Sequence, residues 1–402
     1  MRTAWNFHSA GQLVFGRGAA AQLGALLARR KLGRVFIVTD PRLEAAGLVE
    51  RVLAPLRAAR IAAHVFTGGE PEPSIETAVT AAEAARAFGP DCILGLGGGS
   101  NMDLAKIVAV LFTHGGEPAR YFSFDNIPGP VLPLVCLPTT AGTGSEVSHA
   151  AVLTDKANQI KVSTLSQYLR PALALVDPAF TDGCPRQVTA DSGIDALTHA
   201  IEAYTAIDYY DLDAPDGEPV AYEGRYLLGA SLAENAISLI GQHLVAAVED
   251  GTNQTARDRM ALAATLAGLA FSNCAVALVH ALEYPLGGAV HVSHGAGNGL
   301  LLPYVMRYNL PVRRTAFVKI AELLGERTSA VFSQAAAAEL AITAVERIRI
   351  AIGIPERLRD LGVQREQLPG FAAKAFAIKR LMGTNPRQPT EADLLAILEA
   401  AY

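Results

Sequence analysis

The sequence predicts an α/β N-terminal nucleotide-binding domain with a parallel sheet, followed by an all-α C-terminal domain. Three observations carry that prediction. Through the first 180 or so residues, short β-branched runs alternate with Ala-rich helical stretches. After about Asp182 only long Ala/Leu-rich helical segments follow. The chain has 402 residues, enough for two or three domains at ~150 residues each, and 50% of them are hydrophobic against 18% charged, which excludes a disordered or coiled-coil protein.

The elements follow in order. Residues 34–40, 62–66, 91–96 and 133–138 are short runs that read as strands, the first of them buried. Between them, 41–58, 74–88 and 101–112 have helical apolar spacing, and Ser74 with Glu76 gives the second an N-cap and an acidic first turn. Strands alternating with helices imply a parallel sheet covered on both faces. Helical segments then run over about 185–204, 224–247, 256–284 and 295–308, with more to the end. The expected domains are 1–182 and 183–402.

Charge and cysteine content narrow the class. Lys plus Arg number 34 against 39 Asp plus Glu, a net charge of -5, which argues against nucleic acid as a partner. The four cysteines, Cys92, Cys136, Cys184 and Cys274, are too scattered for a zinc knuckle and read as single thiols in a reducing cytoplasm. The N-terminus has no apolar run of the signal-peptide kind. Met260 to Leu282 carries no Lys, Arg, Asp or Glu, long enough to span a bilayer, but it is Ala-rich and broken by Ser272, Asn273 and His280. It reads as a core helix, and no membrane partner is expected.

Two loops suit a nucleotide. Gly95-Leu-Gly-Gly-Gly-Ser100 lies between a strand and a helix, where glycines let backbone N–H groups and the helix dipole approach a pyrophosphate. A tight strand–helix turn is the plainer reading. The acid that usually follows such a loop here precedes it: Asp40 ends the first strong strand, a position suited to a ribose diol, although with Pro41 it equally starts a helix. Thr139, Thr140, Thr143 and Ser145 line a second loop after the 133–138 strand, an ordinary Ser/Thr turn if it stood alone.

A third constellation suits a metal. Asp195 and His199, four apart in a helical segment, share one face. His280 ends the long uncharged stretch, and His294 lies fourteen residues on. A carboxylate and neutral imidazoles suit Fe²⁺ or Zn²⁺. Each pair alone reads more readily as hydrogen-bonded core, but a histidine in an uncharged helix is an expensive guest.

Residues 94–106, 137–147 and 193–204, His280 to Gly287 and Ser293-His294-Gly295 together resemble the iron-containing (group III) alcohol dehydrogenase family, and residues 13–16 resemble its first strand. The resemblance covers nearly the whole chain in order. It implies the dehydroquinate synthase-like fold of that family and one divalent metal, Fe²⁺ or Zn²⁺, held by Asp195, His199, His280 and His294. It implies NAD (with NADP as the variant) bound through Gly98, Gly99 and Ser100 with Asp103 nearby, through Thr139, Thr140, Thr143, Ser145 and Lys161, and through Asp40 at the adenosine ribose. Many members have a second histidine four residues after the third ligand; here it is Tyr284, so that Tyr284 and His291 are the candidates for a catalytic role beside the ligands. Residues 208–223, with six acids and no Lys or Arg, look like an inserted loop that borders the site or an oligomer contact, with a solvated surface excursion as the plainer reading.

The implied function is reversible hydride transfer between NAD(P)(H) and a small alcohol or aldehyde, in a cytoplasmic homodimer or larger homo-oligomer. The rivals are a dehydroquinate synthase-like lyase, a metal-free maleylacetate-type reductase and a non-catalytic nucleotide-binding module. A lyase for a phosphorylated substrate wants a basic cluster that the motifs lack. A metal-free enzyme has no use for all four ligand residues.

Overall fold

The β-branched runs of the N-terminal half form strands in a computed structural model that describes residues 2–402 apart from 159, 216, 291 and 332. The strands are β1 (Leu13–Phe15), β2 (Arg34–Val38), β3 (Ala62–Phe66), β4 (Cys92–Gly97), β5 (Ser123–Phe124), β6 (Leu134–Pro138), β7 (Ala150–Asp155), β8 (Ile160–Leu165) and β9 (Leu173–Val176). Six of them make a parallel sheet in the order β1-β9-β6-β4-β2-β3. The helices α1 (Leu23–Arg29), α2 (Pro41–Ala45), α3 (Leu48–Ala58), α4 (Ile75–Phe88) and α5 (Gly99–His114) cover it. Alternation along the strands fills both faces. Phe36, Val38 and Ile93 pack with Leu104, Val108 and the α4 alanines, while Val35, Ile37, Leu94 and Leu96 pack with Leu23, Leu27, Val52 and Leu56. Both faces are therefore apolar, as a βαβ sheet requires.

Four strands, β5, β7, β8 and β9, escape the sequence reading. β7 and β8 form an antiparallel hairpin that pairs with β5 in a separate three-stranded sheet, and β9 inserts between β1 and β6. Lys161, Ser163 and Thr164 interrupt the apolar residues of β8, and β7 has an apolar run of only four residues, 150–153, closed by Thr154 and Asp155.

The second half forms α6 (Arg186–Thr205), α7 (Leu227–Glu249), α8 (Gln254–Phe271), α9 (Leu278–Val290), α10 (His294–Leu323), α11 (Gln334–Ile352), α12 (Leu368–Phe376), α13 (Lys379–Thr384) and α14 (Glu391–Ala401). α6 packs against α7, α8 and α10, and α9 against α10 and α12. The uncharged stretch differs from expectation. It is two helices, not one: α8 ends at Phe271, and His280 stands in the first turn of α9 instead of at the end of the preceding helix. The Asn273 side chain bonds back to the Leu269 carbonyl, and the 273 and 274 carbonyls accept from Glu223 and Gly224, which spends on neighbours the groups a continuous helix would use. Among the described residues no helix is long and apolar enough to cross a membrane.

The chain divides into two units, His8–Cys184 and Pro185–Tyr402, the latter joined by the residues up to Phe7. The expected boundary at 182/183 lies two residues earlier, and the N-terminal segment belongs with the helical unit. Arg2 pairs with Glu223 at 2.7 Å, Asn6 donates to the same carboxylate at 2.8 Å, and Trp5 stacks on Tyr226 at 4.2 Å. The other end of the 208–223 excursion is clamped too, Asp208 accepting from Arg225 and Arg313. Two of its six acids are thus matched by arginines.

Candidate active site

In a parallel sheet all strands end at one edge, and ligands of such sheets sit at the carboxyl ends where the strand order reverses. Here β4 lies between β2 and β6. Asp40 follows β2, Gly98–Ser100 follow β4 and Thr139–Ser145 follow β6, so one edge gathers the residues that the sequence scatters over a hundred positions. The contact is close. A Cβ added to Gly99 would come 2.7 Å from Thr143 Cγ2, and one added to Gly98 would touch Thr140 at 3.4 Å. Gly98 is the N-cap of α5, which leaves first-turn N–H groups facing this edge.

Several of these side chains are already committed. Asp103 accepts from Ser145 Oγ at 2.6 Å and from the Val152 amide at 2.9 Å. The fully buried Lys106 donates to Ser145 Oγ and the Ala150 carbonyl, both at 2.8 Å, and burial pushes its ammonium below the usual range despite nearby Asp103. Asp103, Ser145 and Lys106 therefore tie the second loop to α5. Asp40 caps α2 through the amides of Arg42 and Leu43 with one oxygen, and its other oxygen accepts from Asn101 Nδ2 at 2.7 Å. Lys161, on β8, is nearly buried and pairs with Glu72 at 3.0 Å. Thr139 is buried, its amide bonded to the Gly97 carbonyl.

The helical unit holds the other constellation. α6 carries Asp195, His199 and Glu202 on one face at spacings of four, three and seven. α9 carries His280, Glu283 and Tyr284, and α10 begins with His294 and carries Asn298 one turn later. α10 can lie close on α6 because residue 295 is glycine: a Cβ there would stand 2.0 Å from the Asp191 carbonyl oxygen. Ser293 Oγ also donates to Asp191 at 2.6 Å while capping α10. Burial raises the Asp191 carboxyl above its ordinary range, only partly offset by Ser293 and Gln187.

One ligand atom each from Asp195, His280 and His294 lies within 4.8 Å of the other two. His199 stands beside them. Its Nδ1 is 3.9 Å from Asp195 Oδ2, and its ring stacks between Phe271 at 4.2 Å and His280 at 4.8 Å. Glu202 and Glu283 are two carboxylates that the sequence reading passed over. His280 Nδ1 lies 2.5 Å from Glu202 Oε2, and His294 Nδ1 lies 2.5 Å from Glu283 Oε2. With Nδ1 held against an anion, each Nε2 is left as a lone pair. Both Nε2 atoms and Asp195 Oδ1 surround the Asn298 amide nitrogen, at 3.3, 3.2 and 2.8 Å. Burial raises the Asp195 carboxyl, but His199, His294 and His280, with the Asn298 bond, outweigh it and keep it below the ordinary range. Converging lone pairs and an ionised carboxylate, nearly all buried, suit a divalent cation in chemistry and in charge.

Tyr284 stands 6.1 Å, ring to ring, from His294. His291 lies outside the described residues. No disulfide joins the four cysteines, and burial pushes the thiols of Cys92, Cys136 and Cys274 up to about 12, which leaves them inert as nucleophiles.

Known proteins are similar to this chain in sequence and in fold. The model of iron-containing alcohol dehydrogenases matches residues 10–178, and that of the C-terminal part of Fe-containing alcohol dehydrogenases matches 227–402. Long-chain-alcohol dehydrogenase 1 of Geobacillus thermodenitrificans is 38% identical over 96% of this chain and 94% of its own. NAD-dependent methanol dehydrogenase of Bacillus methanolicus is 35% identical over 98% and 99%. A crystal structure of 1,3-propanediol oxidoreductase superposes with a TM-score of 0.93 at 35% identity, covering 100% of both chains. An alcohol dehydrogenase from Oenococcus oeni gives 0.92 at 31%, covering 99% of this chain and 100% of its own. This chain belongs to the iron-containing alcohol dehydrogenase family and is an oxidoreductase that uses a divalent metal and an NAD-type cofactor to interconvert alcohols and aldehydes.

Proposed function

We propose that the enzyme holds one divalent metal per chain through Asp195, His280 and His294, with His199 as the fourth ligand, and prefers NAD(H) and small neutral alcohols or aldehydes. The observation that carries this is the convergence of one carboxylate oxygen and two imidazole nitrogens within 4.8 Å in a nearly buried setting. Held by these residues, a metal would supply Lewis acidity toward the substrate oxygen, and a nicotinamide would supply or accept the hydride. The protein's own share is placement. Asp195 stays ionised, and the imidazoles of His280 and His294 keep their protons on Nδ1 against Glu202 and Glu283. Gly98 and Gly99 leave backbone room for a pyrophosphate over the N-terminus of α5, and Thr140 and Thr143 stand beside it.

Asp40 supports NAD over NADP, because a carboxylate accepts from a ribose 2′-OH and repels a 2′-phosphate. Among the described residues its second oxygen is bonded to one donor, Asn101, and a carboxylate oxygen takes two. Zn²⁺ outcompetes Fe²⁺ for such donors, so the purified protein is expected to carry zinc whatever the cell supplies. The edge strand β1 supports a homodimer or larger assembly: Leu13 and Phe15 on it are more than a third exposed, and β9 is its sole partner among the described residues. Elemental analysis with a panel of aldehydes and NADH tests the reading. His280→Ala should lose metal and activity together; a lyase or a binding module consumes no NADH with any aldehyde.

A further inference from the structure

We infer that Glu202 and Glu283 are positioning residues for the metal: each fixes the tautomer and ring angle of one ligand imidazole, and Glu283 does so across two helices. The inference rests on the metal site proposed above. Both carboxylates are buried, their side chains 4% and 0% exposed, and an ionised carboxylate so placed costs several kcal/mol unless a strong partner meets it. In each case that partner includes a ligand imidazole, at 2.5 Å through Nδ1. Only the Nε2 lone pair then remains to each ring, and both Nε2 atoms close on the same amide nitrogen of Asn298.

The two acids do different work. Glu202 sits on α6, seven residues beyond Asp195, and its other oxygen accepts from the Val279 amide at 2.8 Å. It therefore caps α9 and sets the His280 ring at once, fixing one ligand relative to the helix that carries another. Glu283 lies on α9, one turn beyond His280, and reaches His294 at the start of α10. The packing holds it there: a Cβ at Gly297 would come 2.9 Å from Glu283 Cγ. With Asp195, the two acids bring three negative charges to the site, which favours a dication.

Metal-stripped protein titrated with Co²⁺ in competition with a chelator gives the affinity, and the Co²⁺ absorption bands report ligand geometry. Glu283→Ala should weaken Co²⁺ binding ~10–100-fold and shift the bands. Glu283→Gln, which keeps an acceptor oxygen and the volume, should fold like the parent in its metal-free form and lie between the two. Glu202→Gln should show a similar loss. Parent-like affinity and bands in Glu283→Gln and Glu202→Gln would overturn the inference while leaving the metal site standing. His280→Ala serves as the control: undiminished Co²⁺ binding there would remove the proposed site, and the inference with it.

Discussion

Gly295 is where one methyl group should separate fold from function. Gly295→Ala puts a Cβ 2.0 Å from the Asp191 carbonyl oxygen, 2.6 Å from its carbon and 3.2 Å from Asp195 Cβ. Two of these are backbone atoms of α6 and cannot swing away. Ordinary contact begins at 3.4 Å, so α10 must retreat from α6 by roughly 1.4 Å at its first turn. His294 precedes this residue and Asp195 is one of the atoms met, so the retreat falls on the distance between two proposed ligands. Metal–ligand distances tolerate about ±0.2 Å, so a displacement several times larger should lower metal affinity at least tenfold and activity with it. Overpacking of this kind costs about 1–3 kcal/mol, which a domain of this size survives. Gly370→Ala, with nothing within 4 Å of its added Cβ, is the control and should leave metal content unchanged. The assay is metal stoichiometry after gel filtration beside NADH-dependent aldehyde reduction. Parent-like stoichiometry and turnover in Gly295→Ala would refute the argument from close helix packing.

Four further predictions follow from the site. Lys106→Met removes a buried ammonium that holds Ser145 and the Ala150 carbonyl, and should cost about 2–4 kcal/mol in thermal unfolding and raise KM for NADH; unchanged values of both would show that the loop holds itself. Asp40→Asn keeps the cap on α2 but loses the charge, so kcat/KM for NADPH relative to NADH should rise at least severalfold with little change in stability, and equal use of both cofactors by the parent would contradict the assignment. The Glu70 carboxyl is pulled down to about 2, burial opposing and bonds from Ser74, Thr77 and Lys156 prevailing, so its contribution is complete above the ordinary value of 4.5 and is lost as pH falls toward 2; Glu70→Gln should flatten acid unfolding in that window. Replacing residues 209–221 by a short Gly/Ser turn, with Asp208 and Glu223 kept, should raise kcat/KM for carboxylate substrates most if the excursion borders the site, and leave both substrate profile and oligomer mass unchanged if it is a surface loop.

How much of this was legible in the sequence depended on the kind of signal. The parallel sheet was readable from β2, β4 and β6 because strands buried on both faces are continuous apolar runs, and from β3, a half-exposed edge strand, by its place between two helical stretches. β7 and β8 were not, since Lys161, Ser163 and Thr164 interrupt β8, and the apolar run of β7 is only four residues long before Thr154 and Asp155. The break between α8 and α9 was hidden because only Ser272 and Asn273 mark it and residues 274–277 are as apolar as the helices on either side; what ends α8 is hydrogen bonding to residues fifty positions away. The residues up to Phe7 join the helical unit through Glu223, a contact no local pattern announces. At the site, the histidines and Asp195 stood out as residue types, whereas Glu202, Glu283 and Asn298 did not. Their spacing was the missed signal: Glu202 is seven beyond Asp195, Glu283 three beyond His280, and Asn298 four beyond His294, each on the ligand's own helix face. His199 shares that spacing with Asp195, yet its ring lies stacked against His280 outside the cluster of three, which helix periodicity alone does not reveal.

Reconstitution of the metal-stripped enzyme tests the central claim most directly. Fe²⁺ added anaerobically in increments, with NADH oxidation by an aldehyde followed after each, should restore activity linearly and stop at one equivalent per chain. Full activity before any metal is added, or recovery that continues well past one equivalent, would contradict the account.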